Sequence, residues 1–348
     1  MNGGFVRIHA FDAARSILLT LGIVYHALVF VFLYVEPSGL AEFLTIVFLH
    51  QLFHAFRMPA FFIVAGFFAM FLIDKRGRGA FLKNRMLRIG LPFLIFWPLL
   101  AISISWAVAW KFPSWRDVFP TSDTQHLWFL YFLMLFSLIT WLGQPLLSRM
   151  ATIQKKVPIS LMMVVLAAVT PFISGVIERE INTSTLLLFD PGVFIFYFLC
   201  YLMGLVIFMQ RDRLLPLVSD RSPLYVAIGL VGFVVFFVSQ DWGVWFSSFA
   251  YSFAVWFLAV GVLGVFLKLG GSENRAIRYV SDSSYWLYLI HLPLIFVFLR
   301  IGSIAGLPAS LTAVLAMSAT FALGVISYQL LVRNTFVGQL LNGTRHQT

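Results

Sequence analysis

Residues 43–73 have the sequence FLTIVFLHQLFHAFRMPAFFIVAGFFAMFLI, and this stretch decides the fold class. It contains 31 residues, of which Arg57 alone carries a charge. A straight helix of this length would measure about 46 Å, which exceeds the roughly 30 Å hydrocarbon core of a membrane. The stretch therefore predicts a membrane-crossing helix that tilts, begins with an interfacial turn, or kinks, and Pro59 favours a kink.

The rest of the chain has the same apolar character. Of its 348 residues, 61% are apolar and 11% are charged, whereas soluble domains have roughly 25% charged residues. A soluble cytosolic enzyme is excluded on this composition, and an outer-membrane barrel is excluded because its strands would alternate polar and apolar residues. We predict an all-α integral membrane protein with about ten transmembrane helices. The predicted spans are approximately Ala14–Tyr34, Phe43–Ile73, Ile89–Trp110, Leu127–Leu142, Val157–Ile177, Gly192–Met209, Pro223–Ser239, Val244–Leu267, Ser284–Leu299 and Ala309–Val332.

The distribution of positive charge predicts the orientation. With these spans, 18 Lys and Arg residues fall on one side and 4 on the other, and the loop Lys75–Arg88 belongs to the richer side. The positive-inside rule then places both termini and this loop in the cytoplasm, in a multi-pass protein of the inner (cytoplasmic) membrane. The net charge of +10 is thereby explained by topology and by membrane lipids, and no nucleic-acid partner is predicted. Because the connections are short, we expect one membrane domain over residues 1–348, with no appended soluble domain.

Ionisable residues inside spans are costly, about 2.5–3.5 kcal/mol each on insertion scales, so the retained ones are candidates for function. Arg15 and His26 are 11 residues apart, which at about 100° per residue brings them within about 20° of one face of the first span. Asp12, three residues before Arg15, is a candidate ion-pair partner. His26 is expected near the middle of the membrane.

The second span carries a similar pattern. His50, His54 and Arg57 follow one another at i, i+4 and i+7 and so share a face, and Arg57 is also expected near the midplane. The two histidines have the spacing of helical metal ligands, but no acidic or cysteine partner lies nearby in the sequence, so no metal is predicted. The single cysteine, Cys200, is interpreted as a packing residue.

Structural interpretations of the same residues stay open. A membrane histidine is often a hydrogen-bonded packing residue, and Arg57 has the alternative role of bonding backbone carbonyls that Pro59 leaves free. The combination of Asp12, Arg15, His26, His54 and Arg57 in a chain with so little charge favours a chemical role.

Five sequence motifs, in order, resemble those of the membrane acyltransferase-3 family. Phe11-Asp12-Ala13-Ala14-Arg15 with His26 resembles the opening Arg-x10-His motif. The segment 54–66, HAFRMPAFFIVAG, is similar to the family's Phe-Arg-Met-Pro-x-Phe-Phe-x-x-Ser-Gly segment, with Ala65 in place of the usual Ser. The other three are 85–92 (RMLRIGLP), 126–130 (HLWFL) and 284–291 (SYWLYLIH). The combination of 126–130 with the preceding His-x-Phe-Arg-Met resembles most the branch that succinylates glucans.

This resemblance implies transfer of an acyl group, acetyl or succinyl, from cytoplasmic acyl-CoA to a hydroxyl of an extracytoplasmic saccharide. Arg85 and Arg88, with Arg76, Arg78 and Lys83, form a cytoplasmic cluster suited to the phosphates of coenzyme A, with a pure topology role as the alternative. His26 is the candidate general base, and it must be neutral before the reaction. Arg15 and Arg57 are expected to stabilise negative charge on the thioester oxygen, and Asp12 to orient Arg15.

The later motifs supply the remaining candidates. His126 is expected at the outer surface, with Trp128 stacking on a sugar or anchoring the interface, and His54 is assigned with them to substrate binding. Tyr288 and His291 share a face of the ninth span and are assigned to the donor channel, with a structural hydrogen bond as the alternative for His291. Direct transfer and an acyl-histidine intermediate are both open. The competing class is a transporter or flippase for a glycan or a small anionic solute, which would also place charges at the midplane.

Overall fold

The computed structural model describes residues 9–111, 123–153, 158–173, 185–269 and 275–342, without the side chains of residues 9, 12, 145–153, 275–277 and 342. Within these ranges the chain is helical, and its one strand-like pairing is a bridge between Asp123 and Leu186. The helices are α1 (His9–Phe30), α2 (Leu40–Arg85), α3 (Leu91–Ala109), α4 (Trp128–Ile153), α5 (Ile159–Ile173), α6 (Pro191–Met209), α7 (Arg211–Asp220), α8 (Ser222–Val238), α9 (Val244–Leu269), α10 (Arg275–Ile304), α11 (Ala309–Ser327) and α12 (Phe336–Asn342).

The helices have the length and the surface of a multi-pass membrane protein. In the described ranges, seven are long and apolar enough to cross a membrane, or eight if the bent pair α7 and α8 forms one span. Large apolar side chains cover the outside of the bundle, such as Leu94, Val231 and Leu330, which are 64%, 64% and 72% exposed. Surfaces of this kind require lipid rather than water. Each of the ten predicted spans overlaps one of the helices, and the count of ten stays a prediction.

One of the seven candidates, Leu40–Ala109, contains two predicted spans. It has 70 residues, about 105 Å at the rise of an α-helix, far more than one crossing needs. The helix continues through Pro59 and is interrupted at Gly77, whose φ of +80° favours glycine. A π-helical turn, Met86–Gly90, then joins α2 to α3.

The position of α1 in the bundle determines where the site lies. This helix packs against both α2 and α10, and α6 packs against the other side of α2. The backbones of α2 and α6 approach closely at Gly66 and Gly204, since a Cβ on Gly66 would overlap the carbonyl oxygen of Tyr201 and one on Gly204 that of Ile63. The last residue of the segment 54–66 is therefore a glycine for packing reasons.

His26 lies close to the middle of the apolar stretch that includes α1. The apolar stretch that includes α1 is Ala13–Leu33, so His26 lies three residues, about 4.5 Å, beyond its midpoint at Ile23. Several basic residues that carry the orientation argument, among them Arg7, Lys155, Lys156 and Arg345, lie outside the described residues. The cytoplasmic placement of the termini stays a prediction.

Candidate active site

Three histidines from distant parts of the chain meet beside α1. The Nε2 of His291, on α10, lies 2.9 Å from Nδ1 of His26. The Nδ1 of His291 is 2.7 Å from the carbonyl oxygen of Tyr288, one turn earlier. The Nε2 of His126 lies 3.1 Å from the same carbonyl oxygen, and the Tyr288 hydroxyl donates in return to the His126 carbonyl at 2.7 Å. Tyr288 thus connects His126 to the pair formed by His26 and His291.

The turn that carries His126 has a strained backbone. Gln125 has φ of +53°, which costs free energy in a residue with a side chain. The turn is held by bonds around it: the Gln125 amide donates to the Asp123 side chain at 2.7 Å, and the Trp97 indole donates to the Asp123 carbonyl at 2.9 Å. Both the amide and the hydroxyl of Thr124 donate to the Thr185 carbonyl. These hydrogen bonds hold the turn in place and thereby set the position of His126 relative to α10.

Arg57 also lies beside the pair formed by His26 and His291. Its guanidinium is over the Tyr25 ring, 4.8 Å from the centroid, and His54 stacks on that ring with its centroid 5.2 Å away. Arg57 and His54 are each 7% exposed. No carboxylate forms an ion pair with Arg57 within the part of the chain that the structure describes, so this buried cation is available to a developing negative charge.

A cavity of about 570 Å³ lies next to the cluster formed by His26, His126, His291 and Arg57 and shares Tyr288 with it. Four arginines, namely Arg15, Arg85, Arg88 and Arg278, line it together with the carboxylate of Asp282. Further in, its walls are apolar and aromatic, and Tyr288 is among the residues that line it. The cavity therefore has a cationic part for an anionic group and an apolar part that reaches the residue bonded to His126 and His291.

The π-helical turn places two of these arginines. Arg85 is the last residue of α2, and Arg88 lies in the turn Met86–Gly90. A π turn shifts the i, i+4 bonding of the helix by one residue and is often found at functional sites. The Tyr285 hydroxyl donates to the Arg88 carbonyl at 2.8 Å, which fastens the turn to α10.

The structure corrects the predicted position of two substrate-binding candidates. His126 and Trp128 were expected at the outer surface, but they are 6% and 5% exposed. The Trp128 ring packs against Phe132 and Tyr197, with centroids 5.3 and 5.1 Å away. Neither residue lies at an exposed interface, because α4 begins inside the bundle rather than at its rim.

Arg15 and Arg57, predicted to act together on the thioester oxygen, lie in two different places. Arg15 lines the cavity with Arg85 and Arg88, about 16 Å along α1 from His26, whereas Arg57 is beside His26. The side chain of Asp12 lies outside the described residues, so its pairing with Arg15 stays a prediction. His291 is not part of the cavity wall; it contacts His26 instead, while Tyr288 does line the cavity.

Sequence reasoning missed several contributors. Tyr25, which contacts His26, His54 and Arg57, follows an apolar run and carries no charge that would single it out. Nothing in the sequence singles out Gly22, although a Cβ there would stand 2.7 Å from Nη1 of Arg57. Arg278 was counted only as a topology residue. Within the described residues no cluster of three or more His, Cys, Asp or Glu is arranged to hold a metal ion, and the absence of a metal stays a prediction.

Comparison with known proteins identifies the family. A family model described as an acyltransferase domain matches residues 8–329. The chain belongs to the acyltransferase-3 family. Family membership supports the predicted enzyme class, since the protein is a membrane acyltransferase. It is 24% identical over 323 residues to glucans biosynthesis protein C of Escherichia coli O81 (strain ED1a), which covers 83% of this chain and 82% of that protein. The same-named protein of Escherichia coli (strain K12) is 23% identical over 321 residues, with the same coverage. No solved structure matches the chain.

Proposed function

We propose that this protein, in the inner (cytoplasmic) membrane, transfers an acetyl or succinyl group from cytoplasmic acyl-CoA to a hydroxyl of an extracytoplasmic saccharide. The observation that carries the proposal is that the arginine-lined cavity and the histidine cluster share Tyr288. The cationic part of the cavity is lined by Arg85 and Arg88, and its wall includes Tyr288, which bonds His126 and His291.

The cationic part suits a phosphorylated donor. Arginine guanidinium groups bind phosphate oxygens in a bidentate manner, and four arginines line this part of the cavity. Its apolar walls, such as Phe61 and Phe129, would enclose the uncharged arm that leads to the thioester. The donor would then enter from the side on which the positive-inside rule places the loop Lys75–Arg88.

His26 is the general base in this proposal. Its imidazole takes the proton of the acceptor hydroxyl while that oxygen forms a bond to the thioester carbonyl carbon. The carbonyl electron pair moves to its oxygen, where Arg57 stabilises the negative charge. When the carbon–sulfur bond breaks, the electron pair leaves with the sulfur of coenzyme A, which receives the proton held by His26.

An acyl-histidine route uses the same residue as the nucleophile. The two routes differ in whether the enzyme carries the acyl group between donor and acceptor. Rapid intact-protein mass analysis at neutral pH, after mixing with acyl-CoA in the absence of acceptor, separates them, because an acyl-histidine adds the mass of the acyl group and the His26→Gln variant does not gain it.

The choice of acceptor is supported by the relatives. The E. coli proteins are named for the biosynthesis of glucans, and the motifs at 54–66 and 126–130 resemble the branch that succinylates glucans. Within the cluster, the polar and aromatic groups available to a sugar hydroxyl are Tyr25, His54 and His126. Trp128 is not among them, because it packs in the aromatic core.

Two measurements test this function. Purified protein in nanodiscs is expected to hydrolyse acetyl-CoA or succinyl-CoA slowly without an acceptor. Mass analysis of glycans from cells with and without the gene is expected to reveal an added acetyl or succinyl group. Absence of both thioester cleavage and glycan acylation contradicts the proposal.

A further inference from the structure

The hydrogen bonds of His291 determine which of its nitrogens carries a proton. A backbone carbonyl only accepts hydrogen bonds, so His291 Nδ1, at 2.7 Å from the Tyr288 oxygen, must donate. Tyr288 lies one turn before His291 on α10, and Pro293 follows closely. Because a proline has no amide proton, the carbonyl of Leu289, four residues before Pro293, loses its helical partner, and the helix is loosened next to the Tyr288 carbonyl.

The remaining nitrogen of His291 is then an acceptor. An imidazolium would have a proton on Nε2 as well, but this atom and Nη1 of Arg57 lie within 3.9 and 2.7 Å of the same point beside Gly22. Two positive charges so close, in a site that is almost fully buried, would be strongly unfavourable. His291 is therefore the neutral tautomer with Nε2 unprotonated.

The same logic extends to His26. Its Nδ1 is 2.9 Å from the unprotonated Nε2 of His291, so His26 Nδ1 must donate. A neutral imidazole that is protonated on Nδ1 has its lone pair on Nε2. The bonds from the Tyr288 carbonyl through His291 thus fix one tautomer of His26, with Nε2 as its basic nitrogen.

We propose that His291 is a positioning residue that holds His26 in the tautomer whose Nε2 accepts the substrate proton, with the Tyr288 carbonyl as the fixed end of the relay. This inference rests on the proposed function, and it replaces the assignment of His291 to the donor channel. When His26 gains a proton on Nε2, the hydrogen bond from Nδ1 to His291 becomes charge-assisted and stronger, which stabilises the transition state.

A pair of variants at His291 tests the proposal. In His291→Gln, the side-chain carbonyl oxygen keeps an acceptor near the position of Nε2, whereas His291→Leu fills the space without one. With purified protein we expect His291→Leu to lower kcat by between about 10²- and 10⁴-fold, the upper figure being that for changing the tautomer-fixing group of a catalytic triad. The KM for acyl-CoA stays unchanged, and His291→Gln recovers a large part of the rate. Equal kcat in the two variants, or a raised KM as the main effect, overturns the proposal.

A spectroscopic measurement is independent of activity. In ¹⁵N-histidine-labelled protein, the signals of His26, assigned by their loss in His26→Gln, are expected to have a protonated Nδ1 and an unprotonated Nε2. In His291→Leu this pattern is expected to become a mixture of tautomers. A His26 protonated on Nε2 in the unmodified protein contradicts the proposal even if acyl transfer is confirmed. Failure of the proposed function instead leaves the tautomer pattern intact while acyl transfer is absent.

Discussion

The guanidinium of Arg57 lies directly against Gly22, because Nη1 is 2.7 Å from the point where a Cβ on this glycine would stand. Gly22 is one helical turn before His26 on the same helix. The absence of a side chain at this position therefore makes room for a buried cation next to the proposed base. We regard this contact as the packing feature that sets the distance between Arg57 and the pair formed by His26 and His291.

Substitution of Gly22 by Ala should displace Arg57 without unfolding α1. The atom that the new methyl group meets is the far end of a flexible side chain, and alanine is a better helix former than glycine by about 0.5–1 kcal/mol. Because displacement by about 1 Å of a group that stabilises the transition state costs about 10²-fold, we expect a loss of this order in kcat. The measurement is acyl transfer by purified protein together with its melting temperature.

Gly143→Ala is the matched control for this substitution. Gly143 lies in α4 and has no atom within 4 Å of its Cβ position, so both activity and melting temperature should stay near those of the unmodified protein. If Gly22→Ala is as active as Gly143→Ala, the position of Arg57 is unimportant for the reaction.

The donor site is tested by replacing Arg85 and Arg88 with Gln. Both residues line the cavity, and loss of two phosphate-binding groups should weaken acyl-CoA binding by at least about tenfold while the protein still inserts. Replacement of both by Lys should restore binding partly, because lysine keeps the charge but lacks the bidentate geometry. Isothermal titration with a non-hydrolysable acyl-CoA analogue measures the effect.

A second pair in the same loop separates donor binding from topology. Arg76 and Lys83 are exposed and are not part of the cavity wall, so their replacement by Gln removes the same charge without touching the cavity. We expect unchanged affinity in this control. Equal weakening in both double variants would mean that only the total charge of the loop matters.

The orientation gives a separate prediction. The excess of Lys and Arg on one side places both termini and the loop Lys75–Arg88 in the cytoplasm. A phosphatase reporter fused after Val332, which is active only outside the cytoplasm, should be inactive, and a fluorescent reporter that folds in the cytoplasm should be bright. The opposite result would invert the bundle and put the cationic part of the cavity on the wrong side for acyl-CoA.

The helical membrane fold was largely predictable because hydropathy identifies the segments that must be helical in lipid. Long apolar runs have one stable conformation in lipid, so the segments 43–73 and 309–332 were recognisable as helices. The junction of α2 and α3 was not, since the π turn at Met86–Gly90 is held by a contact with another helix. An isolated glycine such as Gly77 does not by itself predict an interruption. The bond from Tyr285 to Arg88 joins residues 197 positions apart, and no local pattern contains it.

For the site, helical spacing identified the residues but not their neighbours. Because α1 is helical from His9 to Phe30, the spacing puts Arg15 and His26 near one face, yet a helix face is long, and these residues contact different partners. The partner of His26 is His291, 265 positions away, and only the packing of α1 against α10 brings them together. Trp128 was misplaced because a tryptophan at a predicted span end is typical of the interface, and here the aromatic core encloses it.

The rate of acyl transfer by His26→Gln, compared with the unmodified protein and His26→Ala, tests the central claim most directly. Glutamine retains hydrogen-bonding groups of similar shape but has no basic nitrogen, so it isolates the proton-accepting role. We predict that both variants insert and purify at normal yield, bind acyl-CoA with unchanged affinity, and lose about 10²–10⁴-fold or more in transfer rate. A His26→Gln protein with a turnover near that of the unmodified protein would show that His26 is structural and would contradict the mechanism.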